Sequence, residues 1–166
     1  LWVTNNYGGD HVDPYGYLAS HGISKSQLAK DLANGVTSPA SNAKTVGTAV
    51  TYALRSINGD WLDSVTNFGS GNNGFAGIPN QQHDYLTVSV THGSVKYRVK
   101  TAQDGWLGWV TGSNRNDLAN GAAGVTGHAI TGVQIVYNTP SGENYQQAYY
   151  RSQTTRRAGW LGVCAD

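Results

Sequence analysis

A self-similarity at a spacing of 45 residues restricts this chain more than any other feature of its sequence. At that shift Tyr52 becomes Tyr97, Trp61-Leu62 becomes Trp106-Leu107, Val65-Thr66 becomes Val110-Thr111, His83 becomes His128, Val88 becomes Val133 and Val90 becomes Ile135. Such an ordered series means that one small unit is built more than once, and a unit that small buries its apolar face only against a neighbour. Asn73-Gly74-Phe75-Ala76-Gly77 returns as Asn120-Gly121-Ala122-Ala123-Gly124, displaced by two further residues that a shorter following loop is expected to give back. The opening recurs a third time around Tyr150 and closes in Ala158-Gly159-Trp160-Leu161-Gly162-Val163, about two and a half copies in all.

Each copy is predicted to hold a strand at the Tyr, a turn, a second strand at Trp-Leu, a Gly/Asn loop and a third strand after the His. Leu86, Val88 and Val90 alternate with Thr87 and Ser89, the period of a strand with one covered face, and Val133 with Ile135 repeats the scheme. The terminal half-copy is expected to supply strands that the first or second unit lacks. Composition agrees with a turn-rich β protein: 22 of 166 residues are Gly, about twice the ordinary share, and charged residues stand at 13%, about half the ordinary share.

The first 35 residues read differently. Asp13-Pro14 starts one helix, the Asp side chain capping free amides, and Gly22 stops it. Ser24 and Gln27 form a capping box for a second helix that carries Leu28 and Leu32 to a stop at Gly35. Gly35 to Gly47 lacks periodicity and is rich in small polar residues, as a connector is. The fold class expected is therefore mainly β: two and a half tandem repeats of about 45 residues packed into one domain, preceded by a short two-helix N-terminal segment. Residues 1–35 are the helical segment or the end of an upstream domain, 36–48 a linker and 49–166 the repeat domain. The chain has no Met and begins with Leu1, which reads as a fragment with a further domain upstream.

Several functions are disfavoured by counts alone. Eleven Lys plus Arg against ten Asp plus Glu leave a net charge of +1, too little to drive association with nucleic acid or membrane. Cys164 is the sole cysteine, so no intrachain disulfide or thiolate metal cluster is available. No signal peptide or apolar span is seen, and no cofactor or metal is expected. Asp10-His11-Val12-Asp13 contains ligand types for zinc, yet His11 and His21 stand ten apart rather than at helical spacing, and Asp13 already serves as a cap. His83 and His128 occupy matched positions, where an imidazole is expected to bond the adjacent loop backbone. There is no glycosidase carboxylate frame, phosphate-cradling loop or nucleophile elbow, so no catalytic residue is nominated.

The run Lys96-Tyr97-Arg98-Val99 through Gly105-Trp106-Leu107-Gly108-Trp109-Val110, followed by Gly121-Ala122-Ala123-Gly124-Val125-Thr126-Gly127, resembles the Trp-and-Gly repeats of clostridial surface proteins and of phage endolysin tails. The stretch from Asp10 to Leu18 is similar to connectors that follow the hydrolase domain in phage cell-wall lysins. The resemblance implies a noncatalytic targeting module of a peptidoglycan hydrolase, acting at the Gram-positive cell wall. Its partners would be wall polysaccharide or peptidoglycan, with an upstream catalytic domain in the intact chain and no role for nucleic acid, membrane or cofactor. The alternatives are a protein-interaction module of a bacterial surface assembly, and a self-contained wall hydrolase using His11, Asp13 or His83.

A sugar offers flat C–H patches ringed by hydroxyls, and a binder answers with aromatic faces and polar groups. Aromatics that recur in every copy are explained by the fold each copy must build, which assigns Trp61, Trp106, Trp160, Tyr52, Tyr97 and Tyr150 to the scaffold. Trp109 corresponds to Ser64 and Val163 and has no such duty, so it is the first candidate for ligand contact. Phe68, Phe75, Tyr145 and Tyr149 are unmatched aromatics near turns, with local packing as the alternative. Asp63 and Arg115 are candidates for sugar hydroxyls or a wall phosphate, with solvated surface charge as the alternative.

Overall fold

A computed structural model describes residues 24–34, 44–157 and 159–166. The chain divides into two compact units, Leu1–Asn42 and Ala43–Asp166. In the first, helix α1 spans Lys25–Asn34, and its opening bond runs from the Leu28 amide to the Ser24 carbonyl at 3.0 Å. Ser24 thus stands where a serine cap is favoured. The expected helix at Asp13 to Gly22, the Asp10-His11-Val12-Asp13 cluster and the stop at Gly35 lie outside the described residues.

The second unit is mainly β. Its strands are β1 (Val50–Ser56), β2 (Val65–Thr66), β3 (His83–Val90), β4 (Ser94–Thr101), β5 (Gly105–Trp106), β6 (Ala123–Gly124), β7 (Ile130–Asn138), β8 (Tyr149–Tyr150) and β9 (Cys164–Ala165). They form a four-stranded sheet in the order β2-β1-β3-β6, a three-stranded sheet β5-β4-β7 and a pair β8-β9, every named pairing antiparallel. Leu86 and Val88 of the first sheet and Val95, Tyr97 and Val99 of the second share one core, with Val50, Tyr52, Leu54, Leu107, Val110, Val133 and Ile135 packed around them. Burying an apolar side chain of this size contributes about 1.5–3 kcal/mol, which makes the alternation of β4 the main reason it sits where it does. Gly93 turns the chain from one sheet to the other at φ +69°, and a Cβ there would fall 2.4 Å from the Tyr137 hydroxyl.

Several bonds of the first sheet have counterparts 45 residues on. Tyr52 pairs with Val65 as Tyr97 does with Val110, and Arg55 bridges Trp61 as Lys100 pairs with Trp106. The Leu62 amide donates to the Leu54 carbonyl at 2.9 Å and the Leu107 amide to Val99 at 3.0 Å. The Tyr52 hydroxyl donates to the Asn67 carbonyl at 3.0 Å and the Tyr97 hydroxyl to Gly112 at 2.6 Å. A break in register falls between Arg55 and Ser56 and again between Lys100 and Thr101.

The last strand of each set departs from that uniform shift. Tyr52 faces Val88, whereas Tyr97 faces Ile135 rather than Val133, and Ser56 faces His83 where Thr101 faces Ile130. The two residues by which the Gly/Asn loop is displaced are therefore carried into β7, so Val88 corresponds to Ile135 and His128 falls before the strand. A slip of two keeps the same side chains inward, because side chains alternate with period two.

The terminal segment also differs from expectation. Instead of adding strands to either large sheet, β8 pairs with β9. The β7 backbone is met there by a carboxylate: Asp166 Oδ2 accepts from the Tyr137 amide at 2.5 Å and Oδ1 from the Ala148 amide at 2.9 Å. The strand that crosses between sets is β6, which lies beside β3 at Tyr85 and Leu86. Residues 44–46 bond to the 143–146 segment through Lys44, Thr45 and Val46, so that stretch of the expected linker is held in the β unit.

Candidate binding face

β4 separates its side chains by parity. Val95, Tyr97, Val99 and Thr101 are buried, while Lys96, Arg98 and Lys100 stand on the opposite face, paired across to Val136, Gln134 and Gly132 of β7. The segment 107–110 runs beside β4, held by the Leu107 bond to Val99 and a reciprocal pair between Val110 and Tyr97. Leu107 and Val110 join the core. Trp106 and Trp109 are both exposed, each at 41%.

The two indoles meet at one guanidinium. Arg98 Cζ lies 5.0 Å from the Trp106 ring centroid and 4.5 Å from that of Trp109, and Lys96 Nζ lies 5.0 Å from Trp109. Such cation–ring contacts are worth about 0.5–1 kcal/mol at exposed sites. Arg98 Nε also donates to Gln134 Oε1 at 2.7 Å, which holds the guanidinium over the sheet. Gly132 makes room for the Trp106 ring, whose Cη2 would sit 3.2 Å from a Cβ at that position. Trp106, assigned to the scaffold because it recurs, is thus as open to solvent as Trp109. Recurrence reports a shared backbone position; it does not report which side of the sheet is covered.

The other nominated residues are distributed among different contacts. Phe68 and Phe75 meet Trp160 edge-on, at centroid distances of 5.5 and 5.3 Å, and Arg151 stacks on Phe68 and Trp160 at 4.5 and 4.8 Å. Arg115 is half-buried: it lies 5.4 Å over the Trp61 ring, donates to Ser64 Oγ, and its carbonyl accepts from Trp61 Nε1 at 3.1 Å. Arg115 is thus held against Trp61 and Ser64 rather than standing apart from the scaffold. Asp63, Tyr145 and Tyr149 are exposed, and the Tyr149 hydroxyl donates to Gln147 Oε1 at 3.4 Å.

The histidines are occupied in different ways. His83 Nε2 accepts from the Ile78 amide at 3.2 Å, and burial, partly offset by Asp84, holds its pKa below the ordinary value. A loop-backbone bond was expected at both matched histidines. His128 instead places Nδ1 2.6 Å from Asp104 Oδ2, and that bond, with one from Thr101, lowers the Asp104 carboxyl. His92 Nε2 sits 2.8 Å from Glu143 Oε1. Among the described residues no group of three or more His, Cys, Asp or Glu side chains is placed to hold a metal ion.

Three residues of the face, Lys96, Arg98 and Lys100, were not nominated from sequence. The signal was present as a charge at every second position of a strand.

Comparison with known proteins gives two short likenesses. Over 33 residues the chain is 58% identical to a lytic amidase of Streptococcus pneumoniae phage HB-3, covering 20% of this chain and 10% of that protein. Over 33 residues it is 61% identical to an endolysin of Listeria phage A511, covering 19% of this chain and 10% of that protein. The likeness thus spans about a tenth of the length of these curated relatives and relates part of the chain to phage lysins. No protein-family model matches the chain, and no solved structure does.

Proposed function

We propose that the β unit is a noncatalytic module that holds a peptidoglycan hydrolase of phage or bacterial origin on the Gram-positive wall, and that it is built from two and a half copies of one repeat. The observation that carries this reading is the pair of exposed indoles, Trp106 and Trp109, both in contact with the Arg98 guanidinium on the outer face of the β5-β4-β7 sheet. Indole faces stack on the C–H patches of sugars, and the flanking Gln134 and cations offer bonds to hydroxyls. The short likeness to two phage lysins supports the same cellular setting. The cutting chemistry belongs, in this reading, to another part of the intact protein, and tethering raises its concentration at the substrate.

The test is labelling of intact Gram-positive cells by the fluorescently tagged full chain. Decoration of at least one species on a broad panel is expected, with Trp106→Ala and Trp109→Ala each lowering it while the thermal midpoint moves by no more than about 2 °C. Failure on the entire panel would sink the proposal, as would binding that vanishes when walls are stripped of protein. Clearing of a wall suspension by this chain alone would overturn the noncatalytic part.

A further inference from the structure

We infer that the outer face of the β5-β4-β7 sheet is a site for a phosphodiester-linked wall polymer, with Lys96, Arg98 and Lys100 meeting successive phosphates and Trp106 and Trp109 the sugar or polyol units between them. This rests on the wall-binding reading and adds the charge class of the ligand. The net charge of +1 describes an average over the whole surface. On this face the average fails, because three cations project from alternate positions of one strand and none has a carboxylate within 4.0 Å among the described residues. The nearest acidic residue in sequence, Asp104, is bonded to His128 and Thr101.

The first sheet supplies an internal control. The positions 45 residues before Lys96, Arg98, Lys100 and Trp109 are Thr51, Ala53, Arg55 and Ser64. Ala53 is fully buried, Arg55 is neutralised by Asp84, and Ser64 accepts a bond from Arg115. The same strand position is thus built without free charge in one sheet and with three charges in the other. The first sheet is built without the row of cations or the second indole at these positions, and in the second sheet they gather on one face.

Spacing selects the occupant. Alternate residues of a strand stand ~6.7 Å apart, so the cations form a row on an open sheet face rather than a pocket closing on one anion. A linear polymer with a negative charge on each repeat matches such a row. A single-stranded nucleic acid also combines phosphates with groups that stack, but it gains its affinity from a longer basic groove than three residues provide.

The decisive measurement is binding of the full chain to purified Gram-positive walls, before and after mild hydrofluoric acid removes phosphodiester-linked polymers. Stripping is expected to weaken binding about tenfold or more, and log affinity for untreated walls should fall with log salt at a slope of about −2 for three charges on a flexible polyanion. The triple variant Lys96→Gln/Arg98→Gln/Lys100→Gln should bind untreated and stripped walls alike, with its thermal transition showing whether it remains folded. The slope of the unmodified chain tests the idea independently of that variant. Undiminished binding to stripped walls, still abolished by Trp109→Ala, would overturn the phosphate assignment and leave wall binding standing. Equal affinity for oligo-dT would also overturn it, in favour of nucleic acid. Absence of binding to any wall would remove the reading on which the inference rests.

Discussion

Asp84 shows how much one side chain contributes here without advertising itself in the sequence. It is fully buried and accepts from Arg55 Nε and Nη2, both at 2.8 Å, from the Asn58 amide at 3.1 Å and from the Gly127 amide at 2.9 Å, so one carboxylate ties β1, β3 and two loops together. Burial works to raise its pKa, but the Arg55 and backbone bonds outweigh that and leave it below the ordinary 3.8. The stabilisation is therefore complete above the unfolded value and lost as pH falls through the lower folded one. Asp84→Asn leaves the partly buried Arg55 without its counter-charge and is expected to cost about 3 kcal/mol in urea unfolding at neutral pH, and less as pH falls below 3.8, where the unmodified chain begins to lose the same contribution. Tyr97 gives the opposite sign. Burial pushes its phenol up to about 12, so its share of stability is intact below 10.0 and lost as pH rises toward that value. A late step in tyrosinate absorbance near pH 12 is expected, absent in Tyr97→Phe. Neither property was legible beforehand: a lone Asp after His83 has no pattern, and only the fold shows that Arg55 and the 127 amide reach it.

Among the elements, one of the two-residue strands has the tightest fit. β6 lies so close to β3 that a Cβ on Gly124 would fall 2.0 Å from the Asp84 carbonyl oxygen. Gly124→Ala should detach β6 or push it aside, at a cost of about 3 kcal/mol in thermal or urea unfolding. By contrast Gly108, with open space where a Cβ would go, should accept Ala with a change within about 0.5 kcal/mol. On β3 the single covered face expected from Leu86 to Val90 gives way to two, since Asp84 to Val88 are all buried, but the strands themselves were readable, with β1, β3 and β4 falling at Tyr52, after His83 and at Tyr97. The pairing of β7 was not, since Val133 and Ile135 satisfy the same alternation and a two-residue slide changes no side chain's face. The small strand expected at Trp61 was also resolved differently: Trp61 makes an isolated bridge to Arg55, and the paired strand is Val65–Thr66.

At the scale of the whole molecule, the β5-β4-β7 sheet turns its apolar side chains to the core and its cations and indoles outward. The core between the two large sheets should suffice for residues 44–166 to unfold in one cooperative transition without the first unit, as measured by denaturant melts followed by both far-ultraviolet dichroism and tryptophan fluorescence. Two separated transitions would show that the sheets do not share one core in solution. The chain's own order of residues was enough to establish that it is mainly β and where β1, β3 and β4 lie, because each depends on neighbours within a strand or a turn. Which tryptophans face solvent, which of the charged residues are neutralised, and where the terminal strands pair depended on contacts between segments far apart in the chain. Net charge and recurrence are sums over positions; exposure, ion pairing and register belong to particular surfaces, and those exist only once the sheets have come together.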